Sequence, residues 1–357
     1  MVTRDAVAAY LAERLDAPVE IASFRQTFPG MSRETWMVSA VVGEGAARRQ
    51  RDLAVRIDPP AGGIVPVPLK VEWQVFQRLW GSPVPVAEPL WYDEGIDFAE
   101  GRPHFVRVLV EGSPAIPGLY KPGPEGDALR RVTAFEHAEK LALVHTLDWK
   151  AYGFDEFLPV PESPAVAVAH DFEIWKRHWF ERRSEPFPAV TEIIYWLESI
   201  MPADPSPRIS LFKGNNGLNE EIFRDGRIVA MSDWELAGLG DPAQDWAFSQ
   251  GMLGLHDEEE TLRHYEQAAG FQLSRRTLAF YKLFMTFKAM VCLNSPLGAF
   301  CEGRDQRPVL PFMGMGSVKM MEHSLAPLVG MTLDEATEAI SARSRPTDDH
   351  REEQGLA

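Results

Sequence analysis

Cysteine is scarce in this 357-residue chain, which carries only Cys292 and Cys301. There is no CxxC pair and no nearby His pair, so neither a disulfide framework nor a zinc site is indicated. Both read as buried thiols of a protein in a reducing compartment. Basic residues are also in short supply, 36 Lys and Arg against 52 Asp and Glu, which leaves a formal charge of −16. A chain this acidic lacks the electrostatic footprint that nucleic acid or an anionic membrane attracts. No uninterrupted apolar run approaches the roughly 20 residues that span a bilayer. The N-terminus carries Asp5 and then helical periodicity, where a secretory leader needs a basic start and an apolar block. HExxH and Gly-x-Ser-x-Gly do not occur, so zinc-protease and serine-hydrolase signatures have no support. The expectation is a cytoplasmic protein that binds neither nucleic acid nor membrane.

What is present is ample core: 45% of residues are hydrophobic and 25% charged. The length fits two domains or one two-lobed domain. Thr3 is a plausible cap for a helix running to about Leu15, and strand-like runs follow at 21–27, 36–42 and 53–57. Val71, Val75, Phe76 and Leu79 recur at helical spacing, and further strands are expected at 90–92 and 104–110. From Asp127 the pattern turns helical: a long helix ending near His145, two more around Trp175 and Trp196, and others at 258–269 and 275–294. A strand-rich interruption spans 209–234, with Asp225-Gly226 as a hairpin turn. The predicted organisation is α+β: a small mixed lobe (1–112), a larger mainly helical lobe (113–340), and a charged, Pro-containing tail (341–357) expected to be disordered.

The informative stretch is Ser232-Asp233-Trp234-Glu235-Leu236-Ala237-Gly238-Leu239-Gly240-Asp241-Pro242-Ala243-Gln244-Asp245. A carboxylate at a strand end, such as Asp233, is placed either to hold a metal or merely to cap a turn. The stretch resembles the D-W-E-x-A-x-x-G-D-P-x-x-D signature of the aminoglycoside phosphotransferase-like enzymes. The resemblance covers about residues 20 to 300 and implies a protein-kinase-like two-lobed fold with ATP between the lobes. Residues 28–36 then fall where the loop over the ATP phosphates belongs, with Ser32 in it. Arg56 takes the place of the family's phosphate-contacting lysine and Glu72 that of its partner. Val108 and Val110 fall on the connecting segment that pairs with adenine. Asp241 is implied to steady the metal loop through backbone donors, and Asp245 to open a helix, where negative charge is favourable.

One segment departs from the family. H-G-D-x-x-x-x-N reads here Lys213-Gly214-Asn215-Asn216-Gly217-Leu218-Asn219-Glu220. Asn215 replaces the catalytic aspartate; an amide orients a hydroxyl but cannot take its proton. Glu220, or Asn219 if the register slips by one, takes the metal position beside Asp233, and a carboxylate there suits Mg²⁺. Lys213 could neutralise Glu220 or Glu221, contact an anionic ligand, or stand solvated beside acids. Three readings follow: an ATP- and Mg²⁺-dependent phosphotransferase acting on a small-molecule acceptor, a nucleotide-binding pseudoenzyme, or different chemistry on the same fold using Lys213 or Glu220. His145 reads as packing, and the tryptophans as core or cleft lining.

Overall fold

The computed structural model describes residues 2–27, 32–59, 63, 67–204, 207–217 and 220–344. Helix α1 (Arg4–Leu15) opens on Thr3, whose hydroxyl accepts the Ala6 amide, and closes at Asp16 in a left-handed conformation. Five strands follow around one helix: β1 (Val19–Gln26), β2 (Glu34–Val42), β3 (Arg49–Ile57), α2 (Leu69–Leu79), β4 (Pro89–Asp93) and β5 (His104–Val108). They form an antiparallel sheet in the order β1-β2-β3-β5-β4.

The period of two along β3 sorts its side chains. Leu53, Val55 and Ile57 join Val38, Val106 and the α1 residues Val7, Tyr10 and Leu11 in one core. The alternate residues Ala54 and Arg56 therefore face the other way, toward α2. There Phe105, the cross-strand partner of Arg56, packs on Trp73 and Phe76.

The remainder is mainly helical. After α3 (Pro124–Thr146), α4 (Ala167–Arg182) and α5 (Pro188–Ser199) come four short strands: β6 (Ser210–Phe212), β7 (Glu221–Arg224), β8 (Arg227–Met231) and β9 (Gly238–Gly240). The β7–β8 turn places Asp225 and Gly226 at φ 52° and 75°, the pair of positive angles that a tight right-twisted hairpin requires. Next are α6 (Ala243–Phe248), α7 (Gln250–Leu253), α8 (Glu258–Ala269), α9 (Arg275–Asn294), α10 (Leu297–Cys301), α11 (Val309–Pro311), α12 (Val318–Leu325) and α13 (Leu333–Ser344).

Helix α9 is the axis of the larger core, with Phe280, Tyr281, Phe284, Phe287 and Met290 buried around its circumference. The stretch Arg275–Cys301, interrupted by Lys282 and Lys288, has the length and mean hydropathy of a membrane span. Of its apolar window, 67% is buried inside the protein, as in a core helix.

Two further expectations differ from the structure. Cys301 is exposed at the end of α10 instead of buried; Cys292 packs against the core, and burial pushes its thiol up to about 12. Residues 341–344 continue α13 instead of beginning a structureless tail, while 345–357 lie outside the described residues. Residues 28–31 of the expected phosphate loop and Asn219 also lie outside them.

The sheet is stapled to the helical part just after β5. Ser113 and Phe223 exchange both backbone hydrogen bonds, at 2.9 and 2.8 Å. The preceding Gly112 sits at φ 149°, where an added Cβ would lie 2.6 Å from Ile222 Cγ2 and 2.7 Å from the Phe223 carbonyl oxygen. Neither the angle nor the space admits a side chain. Gly112→Ala is expected to cost about 1–3 kcal/mol in urea unfolding; an unchanged midpoint would show that the staple yields freely.

Candidate active site

The site begins with Arg56. Strand alternation aims it at α2, where Nε donates to Glu72 Oε2 at 2.9 Å. Its Nη2 reaches Asp233 Oδ1 at 2.8 Å and Glu235 Oε2 at 3.3 Å. Glu72 is 1% exposed, so this is an interior ion pair.

A second guanidinium, Arg33, enters from the residues before β2. It reaches Asp58 at 2.7 Å, Glu235 at 2.6 Å, Glu72 at 3.5 Å and the Val67 carbonyl at 2.6 Å. Ser32 donates to the same Glu235 oxygen at 2.8 Å, so its hydroxyl is committed to this network. Burial opposes charge on both arginines. Glu72 foremost, with Glu235 and Asp58 for Arg33 and Asp233 and Glu235 for Arg56, nonetheless holds both above the ordinary arginine range.

Asp233 follows β8 at φ 60°, a left-handed angle that costs a non-glycine residue energy and is held here by its surroundings. The turn points the carboxylate between the sheet and the loop after β6. Oδ1 meets Arg56, and Oδ2 accepts from Asn215 Nδ2 at 2.5 Å. Burial alone would raise the Asp233 pKa, but Arg56, then Lys213 and Arg33, keep it below the usual aspartate range. Burial first, then the Asp233 charge, raises the Glu220 pKa. Burial and Asp233 likewise raise Glu235.

The loop carrying Lys213, Gly214 and Asn215 is fixed from below. Asp245, in the first turn of α6, accepts the amides of Lys213 and Gly214 at 2.6 and 2.7 Å. His145 supports it, with Nε2 3.2 Å from Asp245 Oδ2 and Nδ1 2.6 Å from the Tyr265 hydroxyl. The residue read as packing is therefore also a strut. Asp241 takes the Ala243 amide at 2.8 Å. Gly214 has φ 82°, and a Cβ would lie 2.3 Å from the Leu236 carbonyl oxygen, so the loop closes only on glycine.

Lys213 is wholly buried, which removes the solvated alternative. Its ammonium donates to the Asn215 carbonyl and lies 3.8 Å from Glu221 Oε1. Burial pushes Glu221 up to about 7 and His137, 3.6 Å away, down to about 3. Neither Glu221 oxygen and neither end of the buried Asn216 amide has a hydrogen-bond partner among the described residues.

Val108 donates its amide to the Glu88 carbonyl at 2.9 Å and Leu109 to that of Asp52 at 2.8 Å. No backbone bond engages the Val110 amide among the described residues. Sequence reasoning missed Arg33, Glu235 as an anchor, and Arg107. Arg107 lies across from Ala54 in the β3–β5 register, its guanidinium 5.6 Å from the Phe76 ring. Burial, then repulsion from Arg56, lowers Arg107 to about 10. Its place opposite Ala54 follows only from that register; Arg33 stands one residue beyond Ser32 in the expected phosphate loop, but its partners come from distant segments.

Solved structures share this architecture. A Ralstonia eutropha protein described as an aminoglycoside phosphotransferase superposes with a TM-score of 0.63, covering 91% of this chain and 98% of its own at 21% identity. The fold is that of the aminoglycoside phosphotransferases. Choline kinase LicA from Streptococcus pneumoniae gives 0.61 at 13% identity over 90% of this chain and 98% of its own. Aminoglycoside phosphotransferase APH(4)-Ia, in ternary complex with ADP and hygromycin B, gives 0.55 at 16% identity over 96% and 100%. No protein-family model matches the chain.

Among curated sequences, chicken acyl-CoA dehydrogenase family member 11 is 26% identical over 238 residues, 65% of this chain and 28% of that protein. Mouse family member 10 is 25% identical over 308 residues, 82% of this chain and 26% of that protein. The chain thus spans about a quarter of the length of these relatives.

Asp245 is held charged by its partners. Burial raises its pKa, but the hydrogen bond and charge of His145, then the Lys213 and Gly214 amides, lower it overall. A depressed folded value stabilises above the unfolded value near ~3.9, and that stabilisation is lost as pH falls through the folded value. Asp245→Ala is expected to cost roughly 3 kcal/mol at neutral pH, with the gap to wild type narrowing below about pH 4. A gap independent of pH would contradict the assignment.

Proposed function

We propose that this chain is an ATP- and Mg²⁺-dependent phosphotransferase acting on a small-molecule hydroxyl. The single observation that carries this reading is Arg56 held between Glu72 and Asp233, with Glu220 against Asp233. Among the described residues no group of three or more His, Cys, Asp or Glu side chains could hold a metal. Two carboxyls in contact do fit Mg²⁺, which binds through one or two carboxylates and completes its shell with water and phosphate oxygens. Glu220 and Asp233 would hold the ion, whose chemistry is to neutralise charge on the polyphosphate.

Arg56 supplies a fixed cation to the phosphates, oriented by Glu72. The Val110 amide and the Arg107 guanidinium are available to the nucleotide base. The terminal phosphoryl group moves from the bridging oxygen of ATP to the acceptor oxygen, ADP leaves, and the hydroxyl proton passes to solvent. Asn215 orients that hydroxyl without accepting its proton. Transfer of this kind depends mainly on positioning and charge stabilisation, so the amide slows the reaction without forbidding it. We assign phosphotransfer and not acyl dehydrogenation because the fold shared over nine-tenths of this chain is a phosphotransferase's.

The second reading, a nucleotide-binding protein without turnover, is favoured by one observation: the Asn215 amide is spent on Asp233. Calorimetric titration tests the binding shared by both readings. Wild-type protein is expected to bind ATP with Mg²⁺ and to lose that binding in EDTA; Asp233→Asn should weaken it by about 10²-fold. Absence of metal-dependent binding would contradict both. Asn215→Asp is expected to raise the slow hydrolysis of ATP at least ~10-fold; binding with no turnover in either protein would favour the second reading.

A further inference from the structure

Beside the loop that carries Asn215 lies a cavity of about 190 Å³. Its floor is Phe212, immediately before Lys213, together with Leu236, which packs on Gly214. Val67 and Val71, at the start of α2, form one wall, and the Val67 carbonyl is the group that Arg33 grips. The opposite wall is one face of α4, where His170, Ile174 and His178 recur every fourth residue, with Asp171 and Trp175 alongside. The cavity therefore touches both the sheet side of the site and the Asn215 loop.

Its chemistry is selective. Among the described residues Asp171 is the only acid in the lining, and Lys288 neutralises it. Lys288 Nζ lies 3.1 Å from its Oδ2, donates to Gln244, and sits over the Trp175 ring at 4.9 Å. A polycationic sugar would have to leave its ammonium groups unpaired here, at a cost of several kcal/mol each. Among the described residues, one imidazole nitrogen of each lining histidine, His170 Nε2 and His178 Nδ1, is buried and without a hydrogen-bond partner. Buried polar atoms of native proteins are almost always satisfied, so an orphaned pair at the wall of an apolar cavity marks where a ligand oxygen belongs. The volume suits a compact hydrocarbon body, since an apolar cavity of roughly 150 Å³ takes up benzene.

We propose that this cavity seats the acceptor, and that the acceptor is an alcohol with an apolar aliphatic or aryl body and a carboxylate or carbonyl oxygen held by His170 and His178. This rests on the phosphotransferase reading for the word acceptor, but not for the binding site. Hydrocarbon fills the space between Val71, Ile174 and Trp175, and the two imidazoles orient the head. The reacting hydroxyl is thereby presented on the Phe212 and Leu236 side, next to Asn215.

The test is calorimetry on the full chain with hydroxyhexanoate and hydroxyphenylpropionate, the parent alcohols without the carboxylate, the methyl esters of the two acids, and kanamycin. The hydroxyacids or their esters are expected to bind about tenfold or more tighter than the parent alcohols, with kanamycin weakest. Acid over ester identifies a carboxylate head, and parity a carbonyl. His170→Leu with His178→Leu should erase the preference for the oxygen-bearing head. His170→Gln with His178→Asn, which keeps a donor near each imidazole position, should restore part of it. Ile174→Trp, which fills the cavity, should abolish binding of every probe while leaving the response to ATP and Mg²⁺ unchanged.

Kanamycin binding tighter than the hydroxyacids would overturn the proposal. So would failure of all hydroxy probes in a protein that still binds ATP, and that result would leave the phosphotransferase reading intact. Probe binding in a protein that does not respond to ATP would uphold the cavity assignment and remove the phosphotransferase reading.

Discussion

The interaction on which the site depends is the contact of Arg56 with Glu72 and Asp233. These three residues come from a strand, a helix and a post-strand turn, separated by 16 and 177 positions along the chain. Each is buried or nearly so, and a buried charge without its partner costs several kcal/mol. The sheet, α2 and the β8 turn therefore hold one relative arrangement or forfeit that energy. Arg33 reinforces the same arrangement from the β2 side by reaching Asp58, Glu72 and Glu235 together.

Acids nevertheless outnumber bases around this centre, and the imbalance is itself informative. Glu220, Glu221 and Glu235 are all raised, with burial the leading cause in each case, while Asp233 is lowered. A cluster of this kind is relieved by a bound cation. The signature that this loop resembles has a proton acceptor where this chain has Asn215, and an amide where it has Glu220 or, one residue earlier, Asn219. Lys213 is buried against Glu221 and joins the support beneath the loop, where a histidine is usual.

Much of this was legible in the sequence because it is local. Periodicity located α2, α8 and α9, and Asp225-Gly226 marked the β7–β8 hairpin, since one or two residues dictate those angles. The Asp233 stretch marked the site, because its spacing is set by one short turn and the helix after it. What escaped was non-local. Arg33 reads as an ordinary loop residue until its four partners, drawn from distant segments, are assembled. Arg107 acquires meaning only from the register opposite Ala54. His170 and His178 look like any helical pair until the facing wall leaves their nitrogens unsatisfied. Cys301 misled because the general tendency of free cysteine to be buried says nothing about a particular helix end.

The proposed function requires Arg56 to act on nucleotide as a unit with Glu72. A double-mutant cycle measures this most directly: titration of ATP with Mg²⁺ into wild type, Arg56→Met, Glu72→Gln and the double variant. The expected result is a coupling energy above about 1 kcal/mol, with the second substitution costing little once the first is made. Losses that add within ~0.5 kcal/mol would show two independent residues and contradict the claim.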